Sequence, residues 1–435
     1  MAANRGAPGR IAIVDGVRTP FARRAGEFSD LTAIDLGRHV VSEIVDRSDV
    51  DPGTVGQVVF GQVILSPSTP NIAREIVLGT GLPPTVEGYS VSKACITSYQ
   101  TTVNVAQAIA DGAIDCGIAG GAESASNVPV LVSPALQDAL RALADARSLR
   151  ARAQAFADVR PGDLAPRPPD LTEPSTQETM GEAAERMAKV NGIGRGEQDD
   201  FAHRSHVLAA RAWEEGKLAD EVVPVDVPPG YDQTVEVDTT VRFDSDRRRY
   251  DDLSPVFDRR HGTLTAGNSS PLTDGAAALL LMSEARADAD GHEPLGYLRS
   301  YAFTALDPAD QLLLGPVSAT PIALERAGVA FTDLDLIDLH EAFAAQMLSV
   351  TEAFASAELC KRYAGLDEPL GEVDWNIVNP LGGSIALGHP FAATGARQIS
   401  QTLRELRRRG GGLALCAACA AGGMGAAMVL EVPST

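Results

Sequence analysis

What most constrains this chain is a unit that occurs twice, a helical stretch with a regular apolar face followed by a short, almost wholly apolar strand. In the first half DLGRHVVSEI precedes VGQVVFG; in the second, TPIALERAG precedes LDLIDLH. Apolar residues at three- and four-residue spacing mark a helix with one buried side, and continuous apolar runs mark strands covered on both faces. Each half also has a later helix that feeds a glycine-bounded apolar strand: Ile96 to Ala110 running into IDCGIAGGAES, and GARQISQTLREL running into LALCAAC. These patterns predict an α/β protein of two similar halves, each a mixed sheet flanked by helices.

Between Asn127 and Ser254 the texture changes. Arg and Pro accumulate, strands become hard to find, and short polar helices such as GEAAERMAKV and EQDDFAHRSHVLAARAWEEG appear. An inserted region is expected here. Buried α/β texture returns at HGTLTAGNSSPLTDGAAALLLM. The resulting division is 1–126 for the first half, 127–253 for an inserted loop domain, 254–287 completing the first half, and 288–435 for the second.

At 435 residues the chain is long enough for two or three domains with shared buried surface. Its 37 Lys and Arg against 58 Asp and Glu give a formal charge of -21, which opposes nonspecific attraction to nucleic acid or anionic lipid. Five Cys without a scaffold pattern read as reduced thiols in a cytosol. No stretch approaches the roughly 18 apolar residues of a membrane span, and the first residues form no apolar leader, so a soluble cytoplasmic protein is expected.

Four motifs carry chemistry. In SKACITSYQ, Cys95 falls between a strand end and the first turn of a helix, where amide N–H groups and the helix dipole favour a thiolate below the free-thiol pKa of about 8.5. A packed, inert cysteine is the alternative. In HEAFAAQ, His340 and Glu341 sit at a strand-to-helix junction, a place where a rigid sheet positions catalytic groups, or else a structural histidine. NPLGGSIALGHPFAATGAR surrounds His389 with glycines and prolines that bring backbone and imidazole close to a ligand, as glycine-rich structural turns also do. CAACAAGGMG holds Cys416 and Cys419; no second pair accompanies them for zinc, and the GGMGAAMVLEV segment beyond them does not resemble a thioredoxin-type helix. One of the two is expected to face a site, while Cys116, Cys360 and Cys416 read as packing residues.

Taken in order, Cys95, HEAF, GHP and CxxGGMG resemble the thiolase superfamily over nearly the whole chain. His in HEAF, together with NIAREIVLGTG and RSYAFTA, resembles the bacterial trifunctional-enzyme β-subunit branch. The resemblance implies a thiolase-like five-layered αβαβα fold of two similar halves with an inserted loop domain. It also implies a 3-ketoacyl-CoA thiolase of fatty-acid β-oxidation, with a biosynthetic acetoacetyl-CoA thiolase as alternative and a noncatalytic structural subunit as a remote one.

By matching motif positions, Cys95 looks like the acyl-accepting nucleophile, His389 its base, and Cys419 the acid/base that protonates the departing enolate. The enolate oxyanion hole would combine His389 with a water held by His340. The acyl oxyanion hole would use the N–H groups of Cys95 and of Ala421, which stands where many relatives have Gly. Ser270 is implied near pantetheine, and Met180 at the substrate; Thr179 stands where short-chain thiolases usually show His, which favours longer acyl chains. No metal or bound cofactor is implied, and CoA is a cosubstrate beside 3-oxoacyl-CoA. A homodimer or higher oligomer is implied, with a hydratase/dehydrogenase α-subunit in an α2β2 complex and no nucleic acid partner. The arginines at 141, 147, 150, 152 and 160 read as a solvated face, with phosphate, partner or membrane contact as alternatives.

Overall fold

A computed structural model describes residues 9–167 and 172–434. Nine strands make the central framework: β1 (Ile11–Arg18), β2 (Gln57–Gly61), β3 (Glu87–Val91), β4 (Cys116–Glu123), β5 (Thr273–Ser283), β6 (Gly296–Ala305), β7 (Leu336–Leu339), β8 (Gly412–Ala420) and β9 (Met424–Val432). The helices that position the site are α1 (Ala33–Ser48), α2 (Ile72–Leu78), α3 (Thr97–Ala110), α4 (Pro134–Asp145), α5 (Leu149–Gln154), α6 (Met180–Asn191), α7 (Arg195–Glu214), α8 (Gly315–Ala327), α9 (Ala344–Ala355), α10 (Ser384–Leu387) and α11 (Thr394–Arg408).

Strand order shows the duplication directly. The first half runs β1-β5-β4-β2-β3, and the second runs β6-β9-β8-β7, each with two antiparallel pairs first and parallel pairing toward the far edge, two pairs in the first half and one in the second. A parallel bridge between Ile337 and Val378 stands in the second half where β3 stands in the first. The half-sheets meet where Ile11, Ala12 and Ile13 pair with Leu298, Tyr297 and Gly296. That seam of three residue pairs hydrogen-bonds the sheet of one half to the sheet of the other.

Side-chain alternation along the strands sorts the core into layers. Val58 and Phe60 face α1, packing with Leu36, Val40 and Ile44. Val59 faces inward to a middle layer that holds Val103 of α3 and Ile399 and Leu403 of α11, closed on its other side by Ala414 and Met428. Leu415 and Val429 face outward to Val317 of α8 and Met347 and Val350 of α9. The order is therefore helix, sheet, helix, sheet, helix. The two middle helices are the ones that follow Cys95 and His389.

Two expectations needed revision. The 320–328 helix begins earlier, at Gly315, with Pro316 in its first turn and Pro321 inside it; Thr320-Pro321 imitates a start signal, but the apolar face extends back to Val317. Within the inserted region, α6 and α7 pack on the second half, because Ala183, Ala184, Met187, Phe201 and Ala202 join the outer core beside α9. The α6–α7 part of the insertion is thus anchored on the second half, whereas Val223, Val225 and Val235 pack in the first half's outer core and Glu221 and Asp238 pair with Arg18 of β1. Among the described residues, no helix is long and apolar enough to cross a membrane.

Candidate active site

The turn from β3 into α3 is built by local hydrogen bonds. Thr97 Oγ1 accepts the N–H of Lys93 at 2.8 Å and donates to the Ala94 carbonyl at 2.7 Å, while Ala94 takes a left-handed φ of 46°. Gly61 on the neighbouring strand makes room, since a Cβ there would lie 1.9 Å from Thr97 Cγ2. This tight turn presents Cys95 just ahead of the uncapped first turn of α3.

The matching turn of the second half is longer and buried. After Val378 the chain passes through α10, then Gly388 at φ 102°, where a Cβ would lie 2.6 Å from Thr273 Cγ2, so that His389 can approach the first half's β5. There the His389 N–H donates to the Pro271 carbonyl at 3.1 Å. His389 Nε2 lies 3.2 Å from Cys95 Sγ, and Nδ1 lies 2.7 Å from Thr394 Oγ1. Donation from Nδ1 to Thr394 leaves the Nε2 lone pair facing the thiol, the arrangement a base requires.

His340 follows β7 directly, with its ring centroid 4.2 Å from that of His389. Its Nδ1 lies 3.0 Å from Ser384 Oγ, which also accepts from buried Arg397 at 3.0 Å. Nε2 of His340 is buried without a hydrogen-bond partner. With Arg397 donating to Ser384, the serine hydroxyl is free to donate to Nδ1, which makes Nε2 an N–H donor.

Cys419 lies at the end of β8, and the chain turns at Ala421, Gly422 and Gly423 into β9, both glycines having left-handed φ values. Glu173 from the inserted region accepts the Gly422 N–H at 2.9 Å and so holds that turn. Cys416 points away, since a three-residue spacing puts it on the opposite strand face. Its sulfur meets Thr402 Oγ1 at 3.3 Å in the middle layer, whereas Cys419 belongs to the outer core. The two cannot act as a dithiol pair.

Electrostatics correct one expectation. Burial pushes the Cys95 thiol up to about 12, opposed only partly by the N–H groups of Ala421 and of Cys95 itself. Helix-terminus stabilisation is outweighed because desolvation disfavours the anion more than two amides favour it. Burial likewise holds His389 down to about 3, raises the Cys419 thiol, with neighbouring Cys95 adding to it, and keeps His340 well below its ordinary value. The resting pair is a neutral thiol beside a neutral imidazole. Proton transfer must accompany attack on substrate.

Ser270 donates its N–H to the Ala342 carbonyl at 3.0 Å, and nearby Leu272 bridges to His389, so this segment runs between HEAF and GHP. Met180 opens α6; Gly181 beside it packs so closely on Phe257 that a Cβ would lie 1.9 Å from the ring, and Phe257 stacks edge-on with Phe343 of HEAF at 6.1 Å. Arg141, Arg147, Arg150, Arg152 and Arg160 are all exposed on or beside α4 and α5. Cys116 and Cys360 are buried in the outer layers.

Glu341, picked out beside His340 in HEAF, turns out to be a support: buried, it accepts from Ser205 at 2.6 Å, Asn379 at 2.8 Å and the Ile385 N–H at 3.2 Å, tying α7 to the histidine loop. Other supporting residues escaped the sequence reading. Buried Glu123 accepts the N–H groups of Val63 and Ile64, each at 3.0 Å. Ser384, Thr394 and Arg397 lay inside the quoted glycine-rich stretch, at positions where a polar residue among apolar neighbours was the available signal.

Comparison with known proteins places these features in a family. The thiolase N-terminal domain family matches residues 11–285, and the thiolase C-terminal domain family matches 292–432. A 3-ketoacyl-CoA thiolase from Serratia proteamaculans is 56% identical over 423 residues, covering 97% of each chain. A crystal structure of human mitochondrial 3-ketoacyl-CoA thiolase in complex with CoA is 31% identical, with TM-score 0.82 and 99% of each chain covered. Bacillus anthracis acetyl-CoA acetyltransferase is 32% identical, with TM-score 0.84, covering 98% of this chain and 100% of the other.

Proposed function

Because the chain belongs to the thiolase family, we propose that it is a 3-ketoacyl-CoA thiolase, cleaving 3-oxoacyl-CoA with free CoA into acetyl-CoA and a shortened acyl-CoA. The observation that carries the catalytic reading is the 3.2 Å approach of His389 Nε2 to Cys95 Sγ, beside the N–H groups of Ala421 and Cys95 that partly offset the burial of that thiol. A nucleophile, a base and two fixed donors converge on one point.

Cys95 Sγ attacks the 3-oxo carbon as His389 takes the thiol proton, and the N–H groups of Cys95 and Ala421 receive the charge on oxygen. When the alkoxide collapses, the C2–C3 bond breaks, leaving an acyl thioester on Cys95 and the enolate of acetyl-CoA. His389, now protonated, and the Nε2 side of His340 face the enolate oxygen, while Cys419 protonates its carbon. The Cys419 thiolate then takes the proton of incoming CoA. The CoA sulfur attacks the acyl-enzyme, the shortened acyl-CoA leaves, and Cys95 recovers its proton from His389.

Ser270 supports pantetheine binding by its place between HEAF and GHP, and Met180 lies at the acyl side with Phe257 and Phe343. The inserted region 127–253 forms the CoA and acyl-chain side. We place the enzyme in the cytoplasm as a homodimer or higher oligomer, docking to an α-subunit with hydratase and dehydrogenase activity. Its proposed role is in fatty-acid β-oxidation.

The test is CoA-dependent cleavage of short, medium and long 3-oxoacyl-CoA by purified protein, with Cys95→Ala beside it. Cleavage of the longer substrates that disappears in the variant supports the reading. Activity confined to acetoacetyl-CoA replaces it with the acetyl-CoA acetyltransferase reading, and no cleavage at any length overturns it.

A further inference from the structure

The same three side chains have a second chemical capability that thiolysis does not use. Cys95, His340 and His389 each offer one ligand atom, and those atoms all lie within 4.8 Å of one another. One sulfur and two imidazole nitrogens are the ligand types zinc prefers. Bonds of about 2.3 Å to sulfur and about 2.0 Å to nitrogen set the atoms of a tetrahedral site roughly 3.5 Å apart. Cys95 Sγ and His389 Nε2 already stand at 3.2 Å.

The groups behind the ligands favour the same arrangement. Each imidazole is held through Nδ1 by a hydroxyl, His389 by Thr394 at 2.7 Å and His340 by Ser384 at 3.0 Å. A metal-bound histidine is ordinarily oriented in this way through its other nitrogen. The hydroxyl of Ser384 rotates, so it can accept from Nδ1 and release the Nε2 lone pair of His340. That Nε2 is buried with no hydrogen-bond partner, on a residue only 1% exposed. A second imidazole nitrogen, the third ligand atom, is thus already desolvated in the cluster. Most of the cost of assembling a three-ligand site has been met in folding the catalytic one.

We propose that Cys95, His340 and His389 form a reversible binding site for a thiophilic divalent cation, zinc above all, whose occupancy blocks the nucleophile. Binding forms one Zn–S and two Zn–N bonds and releases the Cys95 thiol proton to solvent, with no change of oxidation state. The fourth tetrahedral position remains for solvent. An acylated Cys95 has no sulfur lone pair of thiolate character to offer, so a working enzyme with substrate in hand is protected.

The experiment uses the full-length protein treated with chelator and titrated with Zn²⁺ alone by calorimetry, and with Co²⁺ by absorption spectroscopy. One equivalent per chain is expected, with a thiolate-to-cobalt charge-transfer band. Cys95→Ser should abolish the band, and His340→Asn should weaken zinc about 10- to 100-fold. On unaltered protein, zinc should slow iodoacetamide labelling of Cys95, and chelator should restore it, a readout independent of variant folding. Unchanged zinc affinity in both variants, or labelling of Cys95 at the same rate with and without zinc, overturns the proposal. Because none of these readouts requires turnover, failure of the thiolase reading and failure of the zinc site are separately visible.

Discussion

The two halves deliver their reactive groups from the same topological place by different means. In the first, an intact edge strand runs through a five-residue turn into α3, shaped by local bonds such as those of Thr97 Oγ1 to the Lys93 N–H and the Ala94 carbonyl. In the second, the edge strand shrinks to one bridge at Val378, and a long buried loop carries His389 into α11. That loop needs Asn379, Glu341, Ser384 and Arg397 to satisfy its polar groups. A nucleophile on a short turn is held by local geometry. A base that must cross to the other half needs a nonlocal network, since each buried polar group left unpaired costs about 1–3 kcal/mol.

Register extends the comparison. Gly61 pairs with Gly121 in the first half as Leu339 pairs with Ala417 in the second. Counting on from those pairs, Gln62 corresponds to His340 and Glu123 to Cys419. The positions that carry chemistry in the second half therefore carry structure in the first, where Glu123 staples the Val63–Ile64 segment. In the proposed mechanism one half contributes the nucleophile, and the other contributes the groups that handle protons and charge.

The largest expected effect is on the pairing of the two turns. Cys95→Ala should lower kcat by on the order of 10⁴-fold or more in the thiolysis assay. His389→Ala should cost about 10²- to 10⁴-fold; a rate within tenfold of the parent would break the idea that the second half supplies the base. Next comes stability, read by urea denaturation. Glu341→Ala should destabilise by about 3 kcal/mol, because three donors lose their acceptor, whereas Thr97→Val should cost about 1 kcal/mol. The reverse order would refute the contrast between local and networked turns.

Acid sharpens the comparison further. Burial holds His206 of α7 and His389 down to about 3 and keeps His340 low, so in this pH range the unfolded chain takes up protons that the folded chain does not. Stability from this source is complete above the ordinary histidine value of about 6.5 and is lost as pH falls toward 3. Hydrogen exchange at pH 5 should therefore show the second half and α7 opening before β2, β3 and α1. At neutral pH His206→Gln should show little through this route, but it should flatten the fall in stability below pH 6.5 by about 1.4 kcal/mol per unit; an unchanged slope would remove His206 from that account.

Much of this was legible in the chain itself. The repeated helix and strand, the glycine-rich histidine stretch and the strand-to-helix setting of Cys95 all express local rules of periodicity and turn chemistry, which neighbouring residues alone can satisfy. The family resemblance rested on the same segments. Less legible were Glu123, Glu341 and Arg397, because a buried charge looks like a surface charge until its partners are known. The thiol of Cys95 shows the same limit: helix-terminus reasoning lowers its pKa, and only the depth of its burial reverses the sign.

What the amino-acid order determined by itself was the two-half α/β plan and, through the motifs that resemble the thiolase family, the choice of Cys95, His340, His389 and Cys419 as the proposed reactive set. Tertiary structure alone decided that α6 and α7 clamp the second half, that Cys416 faces away from Cys419, and that residues 294 positions apart meet at 3.2 Å. The reason is one of range: periodicity and turns are short-range properties, whereas desolvation and contact depend on which surfaces the folded halves bring together.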